Sequence, residues 1–209
     1  MALLLHPAYF PNCLSMAALV QNTVVWEVCD NFQKQTFRNR CYIATDQGPL
    51  LLNLPISHVG GATGRQSYRD VRIASAGAWQ RHHWRSLETA YRTAPFFEFY
   101  EEDLRPLFER PFRFLMDLNL ETITCLCALL GIAFPDTKSA TYLLDPSPLT
   151  DGRILVSAKA AFPVEFPPYP QVFMERCGFL PNLSTLDLLF NEGPAAADYL
   201  KALKMPWNG

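Results

Sequence analysis

The segment His6–Pro11 (HPAYFP) places an imidazole and a phenol in a turn stiffened by two prolines. It follows the apolar run Leu3–Leu5, which predicts a buried strand. In open α/β sheets, ligands bind beyond the carboxyl ends of strands, so we expect a site here. His6 is a candidate general base because imidazole titrates near neutral pH, and Tyr9 is a candidate substrate-binding residue that could stack on a ring of the ligand. The alternative is a rigid turn in which His6 caps a helix or bonds to backbone.

A second polar segment, Asp30–Arg40, comes directly after the apolar run Thr23–Val28, which predicts the next strand. Asp30 is a further candidate base. The segment contains many hydrogen-bond donors and few acceptors, as recognition of a phosphate or carboxylate requires. An extended backbone would place Arg38 and Arg40 on the same face. The alternative is a solvated basic loop. The substrate-binding candidates are Gln33, Lys34, Arg38, Asn39 and Arg40.

A third group of candidates lies on a predicted helix that begins at Trp79. The helical period places Trp79 and His83 on the face that meets the core. A core histidine with satisfied hydrogen bonds is therefore the alternative to a binding role for His83. The neighbouring side chains His82 and His83 cannot share one metal ion from a single helix face. The substrate-binding candidates here are His83, Trp84, Arg85 and Tyr91.

Composition excludes several classes of protein. The formal net charge is −2 over 209 residues, which argues against nucleic-acid and anionic-membrane partners and favours a small-molecule substrate. The six cysteines lack metal-ligand spacing, so we predict reduced thiols and no metal site. The N-terminus lacks a signal peptide, and no apolar run approaches the roughly 18 residues of a spanning helix, so we expect a cytoplasmic protein without membrane insertion. The sequence identifies no cofactor.

Elements that would position these side chains can be read in order along the chain. A helix over 13–20, with Asn12 as its N-cap, joins the first two strands and predicts a parallel β-α-β unit. Cys41–Ala44 and Pro49–Ile56 flank a turn typical of a hairpin. A glycine-rich mobile loop is expected over 57–67, without the Lys-Ser/Thr ending of a phosphate loop. A further strand is expected over 70–74.

The second half of the chain has mainly helical periodicity. We predict helices over 79–94, 96–108 (interrupted at Pro106) and 119–131, then a strand over 139–144 and a long connection over 145–170. A capping-box-like start at Ser184–Asp187 and a last helix ending near Leu203 follow. The predicted fold is α/β (mixed α+β as the variant), with a central mixed sheet begun by the β-α-β unit and a helical cluster over 79–131. We expect one domain over 1–209, mostly sheet-forming over 1–76 and mostly helical over 77–209.

Several of these stretches resemble the WbqC-like protein family in the same order along the chain. They are HPAYFP (6–11), QKQTFRNR (33–40), HWRSLETAYRTAPFFEFY (83–100), DLNL (117–120), LGI (130–132) and QVFMERCGFLPNLSTLDLLFNEGP (171–194). The resemblance implies a bacterial protein whose relatives are encoded among O-antigen and capsule genes, some of them proposed to transfer glycine or another amino acid to a sugar. Many relatives have glutamine in place of His6, which keeps a donor and an acceptor in a different geometry.

Two functions of different classes follow. One is a transferase that adds an aminoacyl or acyl group to an activated sugar; nucleotidyl transfer is a variant that lacks the expected His-x-x-His or His-x-Gly-His motif. The other is a non-catalytic assembly module that binds other polysaccharide-synthesis proteins. The aromatic run Phe96–Tyr100 would provide its surface if exposed, although core packing also explains such a run.

Overall fold

The computed structural model describes residues 1–57, 65–74 and 78–207. Most of the predicted glycine-rich loop, residues 58–64, therefore lies outside the described residues. The strands are β1 Ala2–Leu5, β2 Thr23–Trp26, β3 Arg40–Thr45, β4 Gly48–Asn53, β5 Ile56–Ser57, β6 Arg72–Ile73 and β7 Thr150–Asp151. The α-helices are α1 Cys13–Gln21, α2 Trp79–Tyr91, α3 Phe97–Leu104, α4 Pro106–Glu109, α5 Leu115–Leu129, α6 Met174–Cys177, α7 Thr185–Glu192 and α8 Ala196–Ala202. Short 3₁₀ helices cover Tyr68–Asp70, Arg153–Val156 and Gly193–Ala195.

The predicted β-α-β unit is confirmed. Strands β1 and β2 pair in parallel, and Ala2 lies opposite Thr23. Helix α1 forms the crossover, and its N-cap Asn12 accepts a hydrogen bond from the Ser15 amide at 2.9 Å. The side chains of Leu3 and Leu4 are fully buried, because a central parallel strand is covered on both faces.

The third strand of the parallel sheet, β7, lies in the stretch that the sequence analysis assigned to a connection. The order is β2-β1-β7, and β7 also pairs with β1 in parallel. The predicted strand over 139–144 is wrong: Lys138 forms one bridge to Trp26, and the chain then leaves the sheet. The cause is Glu27, whose carboxylate accepts hydrogen bonds from the Ser139 hydroxyl and the Leu143 amide. The two antiparallel pairs, β3-β4 and β5-β6, form separate small sheets.

The helical cluster is confirmed, with several shifted boundaries: α2 ends at Tyr91 rather than at residue 94, and α5 ends at Leu129 rather than at residue 131. Helix α2 begins at Trp79 as predicted, and Pro106 separates α3 from α4 by occupying the first turn of α4. Helix α5 begins at Leu115 rather than at Asn119. The sequence did not indicate this start because the N-cap residue, Phe114, makes no side-chain capping hydrogen bond. Among the described residues, no helix has both the length and the apolar composition that crossing a bilayer requires.

Candidate functional site

The His6 side chain is buried directly beyond the end of β1, with 6% of the residue exposed. Its Nδ1 atom lies 3.2 Å from the backbone oxygen of Glu27, and its Nε2 atom lies 3.2 Å from Oδ2 of Asp30. Both ring nitrogens therefore face acceptors. A neutral imidazole carries only one N–H, so it can donate to one of these acceptors at a time.

Asp30 lies beyond β2 and joins His6 to a buried arginine. Its Oδ2 accepts a hydrogen bond from Arg38 Nη2 at 2.9 Å, and its Oδ1 accepts one from the Asn31 amide at 2.6 Å. Arg38 is 1% exposed, donates from Nη1 to the Asn31 backbone oxygen, and lies over the Tyr68 ring. The arginine thus holds Asp30 in position, and a second strand end contributes to the same site as His6.

Charge and burial act in opposite directions on this pair. Burial alone would raise the pKa of Asp30, but the hydrogen bond from His6 and the Arg38 charge outweigh it and lower that pKa to about 2. Burial lowers the pKa of His6, and the Asp30 contact opposes this effect without cancelling it. At neutral pH, Asp30 is therefore ionised and His6 is neutral. A proton arriving at His6 would let the ring donate to both acceptors at once.

The third strand end supplies residues that the sequence analysis missed. Arg153 forms a bidentate pair with Asp151, at 2.9 Å from Nε to Oδ1 and 2.7 Å from Nη2 to Oδ2. The hydrogen bond from Arg153 lowers the pKa of Asp151. Nη1 of Arg153 also donates to the Leu143 backbone oxygen at 2.6 Å. The one sequence signal for this pair is the Asp-x-Arg spacing. That signal is weak, because the sequence does not show that Asp151 lies on a strand of the parallel sheet.

These groups line one cleft of about 320 Å³ at the carboxyl edge of the parallel sheet. Its lining residues are His6, Asp30, Gln33, Thr36, Arg38, Tyr142, Asp151, Arg153, Ile154, Val156 and Ser157. Tyr142 is 47% exposed and provides an aromatic wall. The cleft, which we call the sheet-edge cleft, brings together four sequence candidates: His6, Asp30, Gln33 and Arg38.

Tyr9 and His83 do not line the sheet-edge cleft. Tyr9 is 1% exposed, and its hydroxyl lies 2.9 Å from Nδ1 of His83. Burial lowers the pKa of His83 to about 4, so this imidazole is neutral at physiological pH. The structure thus places His83 as a core histidine with a satisfied hydrogen bond, which was the alternative left open above.

The other helical candidates also lie away from the sheet-edge cleft. Tyr91 is fully buried, and its hydroxyl donates to Asp187 at 2.7 Å. Trp84 packs against Phe108 and lines a different surface groove, of about 410 Å³. Arg85 is exposed on α2. A sugar in the sheet-edge cleft would therefore touch none of these side chains.

Lys34, Asn39 and Arg40 line a second cleft, of about 330 Å³. The expectation that Arg38 and Arg40 share a face is therefore wrong. The segment is not extended, because it bends at Gln35, where φ is +60°, and turns again over residues 37–39. Gln33, Thr36 and Arg38 therefore line the sheet-edge cleft, while Lys34 and Arg40 line the second one. Asn39 donates to the Leu54 backbone oxygen at 3.1 Å and so braces β4. We call this second cavity the hairpin cleft.

Comparison with known proteins adds a family and one distant relative. The model of the WbqC-like protein family matches residues 7–161. The chain is similar to the "Uncharacterized protein Rv1507c" of Mycobacterium tuberculosis (strain ATCC 25618 / H37Rv), with 28% identity over 89% of this chain and 90% of that protein. No solved structure matches the chain. The family match begins at Pro7 and extends past Arg153, so it covers most of the sheet-edge cleft.

Proposed function

The chain belongs to the WbqC-like protein family, and on that premise we propose that it is a transferase of bacterial surface-polysaccharide synthesis. Its substrate is an activated sugar, which binds in the sheet-edge cleft and receives an aminoacyl group, such as glycine, or another acyl group. The sugar part of such a substrate is small and polar, which suits the hydrogen-bonding lining of this cleft. The protein works in the cytoplasm, and its six free thiols are consistent with a reducing compartment.

The observation that carries the proposal is the His6 ring held between two acceptors. In this reaction a sugar hydroxyl or amine attacks the carbonyl carbon of an acyl thioester such as an acyl-coenzyme A. The carbon–sulfur bond breaks, and a base takes the proton of the attacking group and passes it to the leaving thiolate. His6 is neutral, and both of its ring nitrogens face protein acceptors, so the proton reaches Nε2 through the Asp30 carboxylate, which lines the cleft. The ring gains a second hydrogen bond when it takes that proton, because Glu27 O and Asp30 Oδ2 are both 3.2 Å away. The ionised Asp30 stabilises the imidazolium that forms, as a carboxylate does in a catalytic triad. Arg38 acts here as a positioning residue for Asp30.

The remaining lining groups suit a sugar. Carboxylates accept hydrogen bonds from sugar hydroxyls, and Asp151 lies at the open side of the cleft. Gln33 and Ser157 supply neutral donors and acceptors nearby. The exposed ring of Tyr142 offers a face for the apolar side of a pyranose. The cleft volume is about 320 Å³, which is at the small end for ligand sites and suits one or two sugar units.

The assembly-module hypothesis loses its main support. Within the run Phe96–Tyr100, the side chains of Phe97 and Tyr100 are buried in the core. Phe99 is the one strongly exposed aromatic residue of that run, at 73%. A single exposed aromatic residue is ordinary on a protein surface.

Binding is tested by a thermal-shift screen with nucleotide sugars, acyl-coenzyme A compounds and free amino acids. A ligand at one hundred times its Kd should stabilise the native state by about 2.7 kcal/mol. We expect the shift in wild type and in Asp136→Asn, a control at an exposed aspartate, and its loss in Asp30→Asn. A shift that survives in Asp30→Asn would place the ligand elsewhere.

Catalysis is tested by following the acylated sugar by mass spectrometry. His6→Gln should keep substrate binding and lower kcat by about 10²- to 10⁴-fold, because glutamine cannot accept the proton. The difference in kcat between wild type and His6→Gln should become smaller as pH rises, because more of the nucleophile is then deprotonated without a base. Equal turnover in wild type and His6→Gln would remove His6 as the base.

A further inference from the structure

The hairpin cleft differs from the sheet-edge cleft in its charges. Its lining residues are Phe32, Lys34, Gln35, Asn39, Arg40, Asn53, Leu54, Pro55 and Ile56. This set contains two cationic side chains, three amides and no carboxylate. In the sheet-edge cleft each arginine is already paired, Arg38 with Asp30 at 2.9 Å and Arg153 with Asp151 at 2.7 Å.

The two cations of the hairpin cleft are uncommitted within the described part of the chain. Lys34 and Arg40 make no ion pair or side-chain hydrogen bond with any residue over 1–57, 65–74 or 78–207. Nε of Arg40 is shielded from solvent and has no acceptor among those residues. A guanidinium with unused donors next to a second cation favours an incoming oxyanion.

The backbone around the cleft fixes these side chains in a defined arrangement. Arg40 is the first residue of β3 and lies opposite Asn53 in the hairpin. Phe32 is held by a hydrogen bond from its amide to the Gln66 backbone oxygen at 2.7 Å. Lys34 lines the cleft from the segment that bends at Gln35. The cations therefore stand on two different elements, and an anion between them would contact both.

We propose that the hairpin cleft binds the phosphate group of a phosphorylated small molecule, with Arg40 and Lys34 as its ligands. The guanidinium fork of Arg40 matches two phosphate oxygens, and Lys34, which lines the same cleft, adds a point charge. Gln35 and Asn53 supply donors and acceptors for the organic part of the ligand. This binding is independent of the transfer reaction proposed above, since the two clefts share only the wall formed by residues 33–40.

The test is isothermal titration calorimetry of the full chain with inorganic phosphate and, separately, with uridine diphosphate. Arg40→Gln should weaken binding by about tenfold or more, as expected for loss of charged hydrogen bonds. Lys34→Gln should weaken it by about threefold, since this lysine is exposed and an exposed charge pair contributes less. Lys204→Gln removes one charge at an exposed position and should leave the Kd unchanged. Added salt should weaken binding in the wild type.

Each outcome decides the proposal. Binding of uridine diphosphate but not of inorganic phosphate would identify an organic phosphate as the ligand, and similar binding of both would identify the phosphate group alone; either supports the site. Binding that is equal in wild type, Arg40→Gln and Lys34→Gln would overturn it. Loss of binding in Asp30→Asn with retention in Arg40→Gln would also overturn it, by placing the anion in the sheet-edge cleft. The exposed Lys34 variant keeps the test valid if Arg40→Gln fails to fold.

Discussion

Two buried carboxylates in this molecule have similar numbers of hydrogen bonds and opposite environments. Asp30 accepts from Arg38, His6 and the Asn31 amide at the edge of the sheet-edge cleft. Asp187, on α7, is fully buried and accepts from the hydroxyls of Tyr91 and Tyr169 at 2.7 Å and from Gln171 Nε2 at 2.8 Å.

The difference in charge between the donors decides the protonation of the two acids. Burial raises the pKa of Asp187, and its neutral donors offset only part of that effect. A cation and a histidine lower the pKa of Asp30 to about 2 despite burial. The same residue type is thus kept ionised where it faces a cleft and drawn toward protonation where it joins elements inside the core.

The position of Asp187 indicates a structural role. Its partners come from α2 and from the connection after β7, and Tyr91 also accepts a hydrogen bond from the Ala44 amide of β3. The network therefore joins parts of the chain that lie far apart in sequence. The hydrogen-bond network of Asp187 therefore holds the fold together, whereas the network of Asp30 lies at a cleft where a ligand can reach it.

The largest effect is expected for Asp187→Ala. The change leaves Tyr91, Tyr169 and Gln171 without their acceptor inside the core, and we expect a loss of about 3–5 kcal/mol in the free energy of unfolding. Asp187→Asn should be milder, about 1–2 kcal/mol, because its partners are neutral and one oxygen remains. Urea unfolding measures both, with Asp136→Ala as an exposed control. A loss below 1 kcal/mol for Asp187→Ala would show that the network does not hold these elements together.

The second-largest effect concerns a buried base, His83, and the pH dependence of stability that its burial causes. Burial lowers the pKa of His83 from 6.5 to about 4, so between these pH values the unfolded chain binds a proton that the folded chain excludes. Stability contributed by neutral His83 is therefore complete above pH 6.5 and lost as pH falls toward 4, by up to about 3 kcal/mol. His83→Gln should flatten the pH dependence of urea unfolding over this range, whereas Lys204→Gln, at an exposed position, should not. If the free energy of unfolding changes equally with pH in wild type and in His83→Gln, the lowered pKa of His83 is contradicted.

Sequence reasoning located the first two strand ends because β-branched runs and the strand-end rule are local signals. It found His6 and Asp30 for that reason, and it missed Asp151 and Arg153 because β7 has only two residues and is defined by its pairing with Leu3 and Leu4. The separation of Arg38 from Arg40 depends on the turn over residues 37–39, which lies between them and has no strong sequence signal.

The capping-box pattern at Ser184–Asp187 illustrates a further limit of local signals. Ser184 caps α7 as predicted, by accepting from the Leu186 amide at 3.3 Å. The Asp187 carboxylate instead turns to two tyrosines that are distant in sequence. A local motif can identify the start of a helix, but partners brought by tertiary structure decide what its polar side chains bind.

The smallest effect, and the most direct measure of the comparison, is the titration of the two carboxyl groups themselves. In a carbon-detected NMR titration, the carboxyl group of Asp30 should titrate with a pKa of about 2. The pKa of Asp187 should lie above the ordinary value of 3.8. Arg38→Met should move the pKa of Asp30 upward, because the guanidinium charge and its hydrogen bond are lost while burial remains. The same variant should leave the pKa of Asp187 unchanged, since Arg38 makes no contact with that network among the described residues. If Asp30 titrates near 3.8 in both proteins, Arg38 does not hold it ionised, and the role of Arg38 in positioning the His6–Asp30 pair fails with it.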